Sequence, residues 1–308
     1  MARRKKGTPI HGWLIIDKPM GLSSAQAVAA VRRITGAAKV GHGGTLDPMA
    51  TGVLPVALGE ATKTVSWVMD GTKDYAFRVR FGEATTTDDA EGEVAETSAQ
   101  RPTDAEIEAA LGRFRGTIEQ TPPAYSAIKI DGRRAYALAR AGEAPEMTSR
   151  RVDVAAFSLV SRPDADHADF IASTGKGTYI RALARDLAIS LGTFGHLTRL
   201  RRTRVGPFHE KAAISLETLE VLGHSAALQE HLLAVETALD DIPALALTQA
   251  EAKRLHQGQA LAAPAVLERE GSDPVPHGHV VAALADQKLI ALAEIVGGEI
   301  RPVRVFNL

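Results

Sequence analysis

The chain has 308 residues, of which 45% are hydrophobic and 24% charged, a composition typical of an ordinary globular protein. At roughly 150 residues per domain, this length suggests two domains. The absence of cysteine excludes disulfides, iron–sulfur clusters and cysteine-based zinc sites. No apolar run approaches the ~20 residues of a membrane-spanning helix, and no signal-peptide core follows the basic start, so we expect a cytoplasmic protein without membrane contact.

Positive charge is concentrated in the first two thirds of the chain. The net charge is −1 overall, but residues 1–208 carry a net of +6 and residues 209–308 a net of −7. Clustered cations are typical of proteins that bind a polyanion, whereas any one pair is more simply a solvated basic face. We therefore expect nucleic acid as the partner. The clusters are Arg3 to Lys6, Arg32-Arg33, Arg133-Arg134, Arg150-Arg151 and the run Arg199, Arg201, Arg202 and Arg204.

Strand-like and helix-like segments follow one another as far as residue 204. Ser23 with Gln26, and Thr103 with Glu106, have the spacing of capping boxes, and Gly36 ends the first helix. In the strand 195–204 we expect Leu197 and Leu200 to face inward and the arginines outward. The predicted strands are 13–16, 53–58, 73–82, 127–130, 151–159, 168–172 and 195–204, and the predicted helices are 24–35, 62–69, about 103–114, a basic helix after 132, and one that ends at 191.

The last third of the chain has a different pattern. Residues 213–237 predict one or two helices, and 240–243 has the composition of a linker. After a short helix at 249–255, strands at 280–285, 289–296 and 300–306 are separated by turns rich in glycine and proline. This pattern predicts a small β-barrel that depends on docking to the larger domain.

Four glycines, one histidine and one aspartate lie together between residues 41 and 52. Glycine is required where φ is positive or where a ligand approaches the backbone closely. Pro48 holds Asp47 in an extended or turn conformation, and the apolar run 53–58 anchors the loop. The alternative is an ordinary surface turn, because Asp-Pro and Gly-Gly pairs are common in turns.

A second glycine loop, residues 173–181, opens a helix. Its spacing does not match a phosphate-binding P-loop, but a helix N-terminus after glycines can still receive an anion. Arg181 lies in the first helical turn, where the helix dipole disfavours a cation, so we expect a carboxylate or phosphate partner or, alternatively, a surface salt bridge. The acidic loop 85–92 lacks the late glutamate of a calcium loop, and we predict no metal.

Several ordered motifs together resemble the TruB-type tRNA pseudouridine synthases. The resemblance covers residues 12 to about 205, and the C-terminal end resembles the PUA-like barrel of that family loosely. The motifs are Gly41-His42-Gly43-Gly44-Thr45-Leu46-Asp47-Pro48, Ala50-Thr51-Gly52-Val53-Leu54, Gly59-Glu60-Ala61-Thr62-Lys63, Asp17-Lys18-Pro19-Met20-Gly21, Lys73-Asp74-Tyr75, Pro122-Pro123-Ala124-Tyr125-Ser126-Ala127 and Gly175-Lys176-Gly177-Thr178-Tyr179-Ile180-Arg181.

The resemblance implies an α+β fold, in which a mixed, largely antiparallel sheet flanked by helices forms the catalytic domain. It implies a catalytic domain over residues 1–238, with an RNA-gripping insertion at about 122–150, and a small PUA-like β-barrel over 239–308. The implied activity is isomerisation of a uridine in the T-arm loop of tRNA, position 55, to pseudouridine. No cofactor and no metal are implied.

The resemblance also implies individual residue functions. Asp47 corresponds to the essential aspartate, Tyr75 to the ring that packs on the target base, and Arg181 to the partner of the catalytic carboxylate. His42, Tyr179 and Leu200 correspond to positions around the bound nucleotide. A carboxylate can act as nucleophile or as base, and attack at the sugar, attack at the base and elimination to a glycal all stay open.

Alternative functions come from other classes. One is a non-catalytic RNA-binding or chaperone protein on the same scaffold. Another is a hydrolase of nucleosides or glycosides, but such enzymes usually need two carboxylates and the Asp47 loop has one. A third is a pseudouridine synthase for rRNA or another tRNA site. We expect tRNA as the partner, no protein partner, and a monomer.

Overall fold

A computed structural model of the chain describes residues 7–126, 128–130, 133–135, 143, 147–223, 225–268 and 278–308. The first six residues, with the basic cluster Arg3 to Lys6, and much of the predicted insertion and basic helix lie outside the described residues. The strands are β1 (Gly12–Lys18), β2 (Val40–His42), β3 (Thr51–Leu58), β4 (Lys73–Phe81), β5 (Glu83–Thr85), β6 (Val94–Thr97), β7 (Gly116–Gln120), β8 (Lys129–Ile130), β9 (Arg133–Arg134), β10 (Arg150–Ser161), β11 (His167–Thr174), β12 (Gly195–Val205), β13 (Phe208–His209), β14 (Ala244–Ala246), β15 (Leu261–Ala262), β16 (Val280–Ala285), β17 (Lys288–Val296) and β18 (Glu299–Val305). The helices are α1 (Ser24–Thr35), α2 (Val65–Asp70), α3 (Asp104–Leu111), α4 (Ile180–Ser190), α5 (Leu216–Leu222), α6 (Ala227–Glu230), α7 (Gln249–His256) and α8 (Ala263–Leu267).

A mixed sheet organises the larger part of the molecule. In the described part of the chain it has nine strands, with the order β1-β3-β12-β4-β11-β10-β7 and with β2 and β13 paired to β3 and β12. Neighbouring strands are antiparallel except β3 and β12, which are parallel. Helices α1, α3 and α4 pack on one face. The predicted α+β architecture is confirmed.

Strand β4 shows how the sequence pattern builds this sheet. Phe77, Val79 and Phe81 are buried on the helix-covered face, and Phe77 stacks on Phe170 of β11 with ring centroids 5.6 Å apart. Arg78 alternates to the opposite face. The side chains of this strand therefore alternate between the two faces of the sheet.

Local hydrogen bonds set the ends of the first helices. Ser23 and Gln26 form the predicted capping box of α1, Thr103 and Glu106 form that of α3, and Gly36 ends α1 with φ of 61°. Both caps satisfy amide groups that a helix start leaves unpaired. In the part of the chain that the structure describes, no helix is both long and apolar enough to cross a membrane.

Several predicted elements were wrong in detail. The helix at 62–69 is divided into a 3-10 turn over Gly59–Lys63 and α2, because Thr64 leaves helical geometry and its hydroxyl donates to the carbonyl of Ala61 at 2.9 Å. The segment 213–237, predicted as one or two helices, forms two short helices, α5 and α6, and part of a 3-10 turn in its described residues. Strands β7 and β15 and helix α8 were not predicted.

The C-terminal part forms its own small sheet. The five strands that the described residues contribute have the order β14-β16-β17-β18-β15 and curl as a half-barrel, with α7 packed against them. Leu255 of α7 is buried in one cluster with Val281 and Ile300. This agrees with the predicted PUA-like architecture.

The two sheets share a second hydrophobic cluster. Trp13 and Phe208 of the large sheet and Phe306 after β18 are buried in it, with the rings of Trp13 and Phe208 5.1 Å apart. Polar contacts reinforce this docking, since Lys63 Nζ donates to the carbonyl of Val305 at 2.7 Å. The division into domains at residue 238 stays a prediction.

We predict that Phe306→Ala lowers the free energy of unfolding by about 3–5 kcal/mol, because it opens a cavity in the shared cluster. Phe306 is 2% exposed and Val303, 41% exposed, offers a control on β18. Val303→Ala should cost about 1 kcal/mol or less. Urea denaturation measures both values, and an equal loss in the two variants would contradict the shared cluster.

Candidate active site

Asp47 lies in the loop that joins β2 to β3. Gly44 in this loop has φ of +127°, and Gly52 in β3 has φ of +98°, values that favour glycine. A Cβ atom at Gly52 would overlap the backbone carbonyl oxygen of Arg202 on β12. The glycines therefore allow the loop and β3 to pack directly against β12.

Hydrogen bonds hold the backbone on both sides of Asp47. The hydroxyl of Ser24, in α1, accepts from the backbone N of Leu46 at 2.7 Å and donates to the carbonyl of Leu46 at 3.0 Å. The carbonyl of Pro48 accepts from the backbone N of Gly21 at 2.8 Å. The position of Asp47 is consequently set by helix α1 and the turn before it.

Lys18 lies beneath this loop and is completely buried. Its Nζ donates to the carbonyls of Pro19 at 2.9 Å, Leu22 at 2.6 Å and Pro48 at 3.2 Å. Burial lowers the pKa of Lys18 to about 8, although the negative charge of Asp47 opposes the shift. The motif Asp17-Lys18-Pro19-Met20-Gly21 contains this residue, but the motif alone predicted no function for it.

Asp47 forms an ion pair with Arg181. Nη2 of Arg181 lies 2.8 Å from the carboxylate, and the Asp47 side chain is 32% exposed whereas that of Arg181 is 4% exposed. The guanidinium also donates to the carbonyls of Thr87 at 2.9 Å and Tyr125 at 2.8 Å, and it lies 3.4 Å from Asp89. The buried guanidinium therefore fixes the position of the partly exposed Asp47 carboxylate.

Asp47 lines a cavity of about 320 Å³ on the side of the central strands. Tyr75, Tyr179 and Leu200 line the same cavity, so the structure brings these four predicted residues together. Tyr179 is fixed through its backbone N, which donates to Oε1 of the buried Gln120 at 2.8 Å. Two aromatic rings, a leucine and a carboxylate can accept a flat, polar base.

His42 does not line that cavity. It lines a second cavity of about 330 Å³ on the other side of Asp47, together with Arg181, Glu91 and Tyr125. Burial lowers the pKa of His42 below its ordinary value of 6.5, so the imidazole is neutral at pH 7. The carboxylate of Asp47 therefore lies between two cavities, which hold different sets of predicted residues.

The prediction that the arginines of β12 all point outward is wrong for Arg202, which is 1% exposed. Nε of Arg202 donates to the carbonyl of Val53 at 2.9 Å, Nη1 to that of Thr45 at 3.3 Å and Nη2 to that of Gly44 at 3.1 Å. The alternation of side chains along a strand could have predicted this burial. Arg202 follows the inward Leu200 by two positions, and side chains two positions apart face the same side of a sheet.

Comparisons with known proteins show the family of the chain. The family model described as "TruB family pseudouridylate synthase (N terminal domain)" matches residues 32–180, and "tRNA pseudouridylate synthase B C-terminal domain" matches 181–240. The chain is 54% identical to "tRNA pseudouridine synthase B" of Rhodospirillum rubrum and 53% identical to that of Caulobacter vibrioides, and each alignment covers 100% of both proteins.

Solved structures share the fold at lower identity. An H/ACA RNP bound to a substrate RNA containing 2′-deoxyuridine matches 100% of this chain and 92% of its own, with TM-score 0.75 and 23% identity. The archaeal box H/ACA sRNP Nop10–Cbf5 complex matches with TM-score 0.73, 24% identity and coverage of 100% and 93%.

The family models and the full-length relatives define a pseudouridylate synthase. The chain belongs to the TruB family of these enzymes. The resemblance inferred from the ordered motifs is thereby confirmed.

The buried amine of Lys18 predicts a pH dependence of stability. Its pKa is about 8 in the folded chain and 10.5 ordinarily, so the unfolded chain binds more protons between these values. The free energy of unfolding contributed by Lys18 therefore rises as pH increases from about 8 to 10.5.

Urea denaturation of the wild-type protein and of Lys18→Met at pH 7 and pH 10 checks this. We expect the stability difference, wild type minus variant, to be larger at pH 10. The similarly lowered pKa of Lys73 is common to both proteins and cancels. A difference that is constant or smaller at pH 10 contradicts the assignment.

Proposed function

We propose that this chain isomerises uridine to pseudouridine in the T-arm loop of tRNA, at position 55. The observation that carries the proposal is the partly exposed Asp47 carboxylate, paired with the buried Arg181 at the edge of a cavity lined by Tyr75. The relatives named tRNA pseudouridine synthase B, at 54% identity over the full length, support tRNA as the substrate.

The proposed isomerisation needs only a carboxylate and residues that hold the nucleotide beside it. The bond between N1 of the base and C1′ of the ribose breaks, a bond between C5 and C1′ forms, C5 loses a proton to solvent and N1 gains one. No oxidant, reductant or group donor enters this balance. Asp47 acts as nucleophile or as base, and the ion pair with Arg181 holds its carboxylate at the edge of the cavity for either.

The target base has to leave the RNA stack to reach Asp47. We assign the Tyr75 ring to stacking on the extruded base, a contact that contributes ~1–3 kcal/mol. Tyr179 and Leu200, on the same cavity, enclose the nucleotide. His42, in the second cavity, supports the RNA next to the extruded base.

The rest of the chain is assigned to RNA binding. We propose that residues 1–238 form the catalytic domain, that the segment at about 122–150 grips the T-arm, and that residues 239–308 form a PUA-like domain. We also propose that the chain acts as a monomer. A tRNA substrate supports a cytoplasmic location.

Tritium release tests the activity. Purified protein is incubated with an unmodified tRNA transcript labelled with tritium at uridine C5. We expect release from the T-arm uridine by wild type, and loss of release in Asp47→Ala because the carboxylate is removed. Asp241→Ala, at an exposed aspartate, is the matched control and should release tritium at the wild-type rate. Tritium release by Asp47→Ala at the wild-type rate would contradict the proposal.

A second transcript separates the RNA targets. With cytidine in place of the T-arm uridine, we expect no tritium release. Release from that transcript would indicate another tRNA site, and release only from rRNA would indicate another RNA class. Binding of RNA without any release would favour the non-catalytic alternative.

The clustered arginines predict a strong salt dependence of RNA binding. Because each phosphate contact releases counterions, we expect the affinity for tRNA to fall by more than about tenfold when salt rises from roughly 50 to 200 mM. Fluorescence titration with Asp47→Asn, which keeps the basic surface, measures this without turnover. An affinity that does not change with salt would contradict a basic RNA-binding surface.

A further inference from the structure

Arg202 is a buried cation that the proposed reaction does not use. It is 1% exposed, and among the described residues no carboxylate oxygen lies within 4.0 Å of its nitrogens. Burial lowers its pKa from the ordinary value, and the nearby Tyr75 and Asp47 oppose this. Burying a charge without an ion-pair partner is costly, so its retention needs an explanation.

The contacts of Arg202 converge on the active site. Two of its three carbonyl acceptors belong to Gly44 and Thr45, three and two residues before Asp47. Tyr75 lies directly opposite Arg202 in the β4–β12 pairing, and both residues line the cavity beside Asp47. The guanidinium therefore joins the catalytic loop to β12, the strand that pairs with the Tyr75 strand.

We propose that Arg202 is a positioning residue that holds the Asp47 loop in place relative to the Tyr75 strand for the isomerisation. The inference rests on the proposed function, because it concerns the rate of that reaction.

The chemistry of the guanidinium fits this assignment. Arginine presents five N–H donors in a rigid fork, and here three nitrogens of Arg202 donate to the carbonyls of Gly44, Thr45 and Val53. A lysine ammonium has three donors on a flexible stem and cannot match these directions. The wide fork also explains why both the loop and β3 lie so close to β12.

Electrostatics adds a second effect. Arg181 approaches Asp47 directly, whereas Arg202 lies behind the loop and is bonded to neutral carbonyls. Its charge is not cancelled by those acceptors, so its field reaches Asp47 through a medium of low dielectric constant. Loss of Arg202 would therefore both loosen the loop and weaken the stabilisation of the carboxylate.

Two substitutions test the proposal. Arg202→Lys keeps the charge without the fork, and Arg202→Gln keeps an amide donor without the charge. We expect Arg202→Lys to lower the single-turnover rate constant at saturating tRNA by about 10²-fold, the effect of a small misplacement of reacting groups. We expect Arg202→Gln to lose more, and the dissociation constant for tRNA to stay within about twofold. Each rate constant is normalised to the fraction of the protein that is able to bind tRNA.

Arg162 offers a matched control. It too donates to three backbone carbonyls, those of Asp164, Pro102 and Ala165, and its side chain is 14% exposed. It lies in the turn between β10 and β11, at the end of that hairpin away from Tyr179. Arg162→Lys should therefore change the free energy of unfolding without changing the single-turnover rate constant at saturating tRNA.

A second measurement does not depend on turnover. Hydrogen exchange followed by mass spectrometry should show faster exchange of the loop around Asp47 in Arg202→Lys and unchanged exchange there in Arg162→Lys. If wild type releases no tritium, the proposed function fails while this measurement still tests the positioning of the loop.

The proposal is overturned by a wild-type rate constant in Arg202→Lys, or by a loss that disappears when rates are normalised to RNA-binding protein. It is also overturned if loop exchange is unchanged, or if neither Arg202 variant folds while Arg162→Lys does. In that last case Arg202 would act on the whole fold.

Discussion

The ion pair between Asp47 and Arg181 is the interaction on which the site depends. The two residues are brought together from the β2–β3 loop and from the first turn of α4, and Arg181 is almost completely buried. A buried guanidinium has to be compensated, and the carbonyls of Thr87 and Tyr125 accept hydrogen bonds from its two Nη atoms, whereas its buried Nε has no hydrogen-bond partner among the described residues. The ion pair therefore holds several loops around one carboxylate that stays accessible.

The topology of the sheet explains why residues distant in sequence meet here. Tyr75 lies near the start of β4, and the antiparallel pairing of β4 with β12 places Arg202 directly opposite it. The parallel pairing of β12 with β3 then brings Gly52 next to Arg202. One strand, β12, thus links the ring that lines the cavity to the loop that carries the carboxylate.

Features that depend on local sequence could be predicted, and features that depend on tertiary contacts could not. The cap at Ser23 and the helix end at Gly36 arise from hydrogen bonds within a few residues. The division of the helix at 62–69 accompanies docking of Lys63 onto the C-terminal sheet. The placement of His42 in a different cavity from Tyr75 depends on how β2 pairs with β3, which motif spacing does not reveal.

Arg202 of β12 shows why a hydrophobicity pattern alone can predict the wrong burial for a charged residue at a functional site. A pattern of leucines and arginines suggests that charge faces water, yet Arg202 lies on the same side as Leu200. Lys18, Arg181 and Arg202 all lie buried close to Asp47, held mainly by backbone carbonyls. Such an arrangement costs stability when no anion is present, and it suits a site that binds a polyanionic substrate beside one carboxylate.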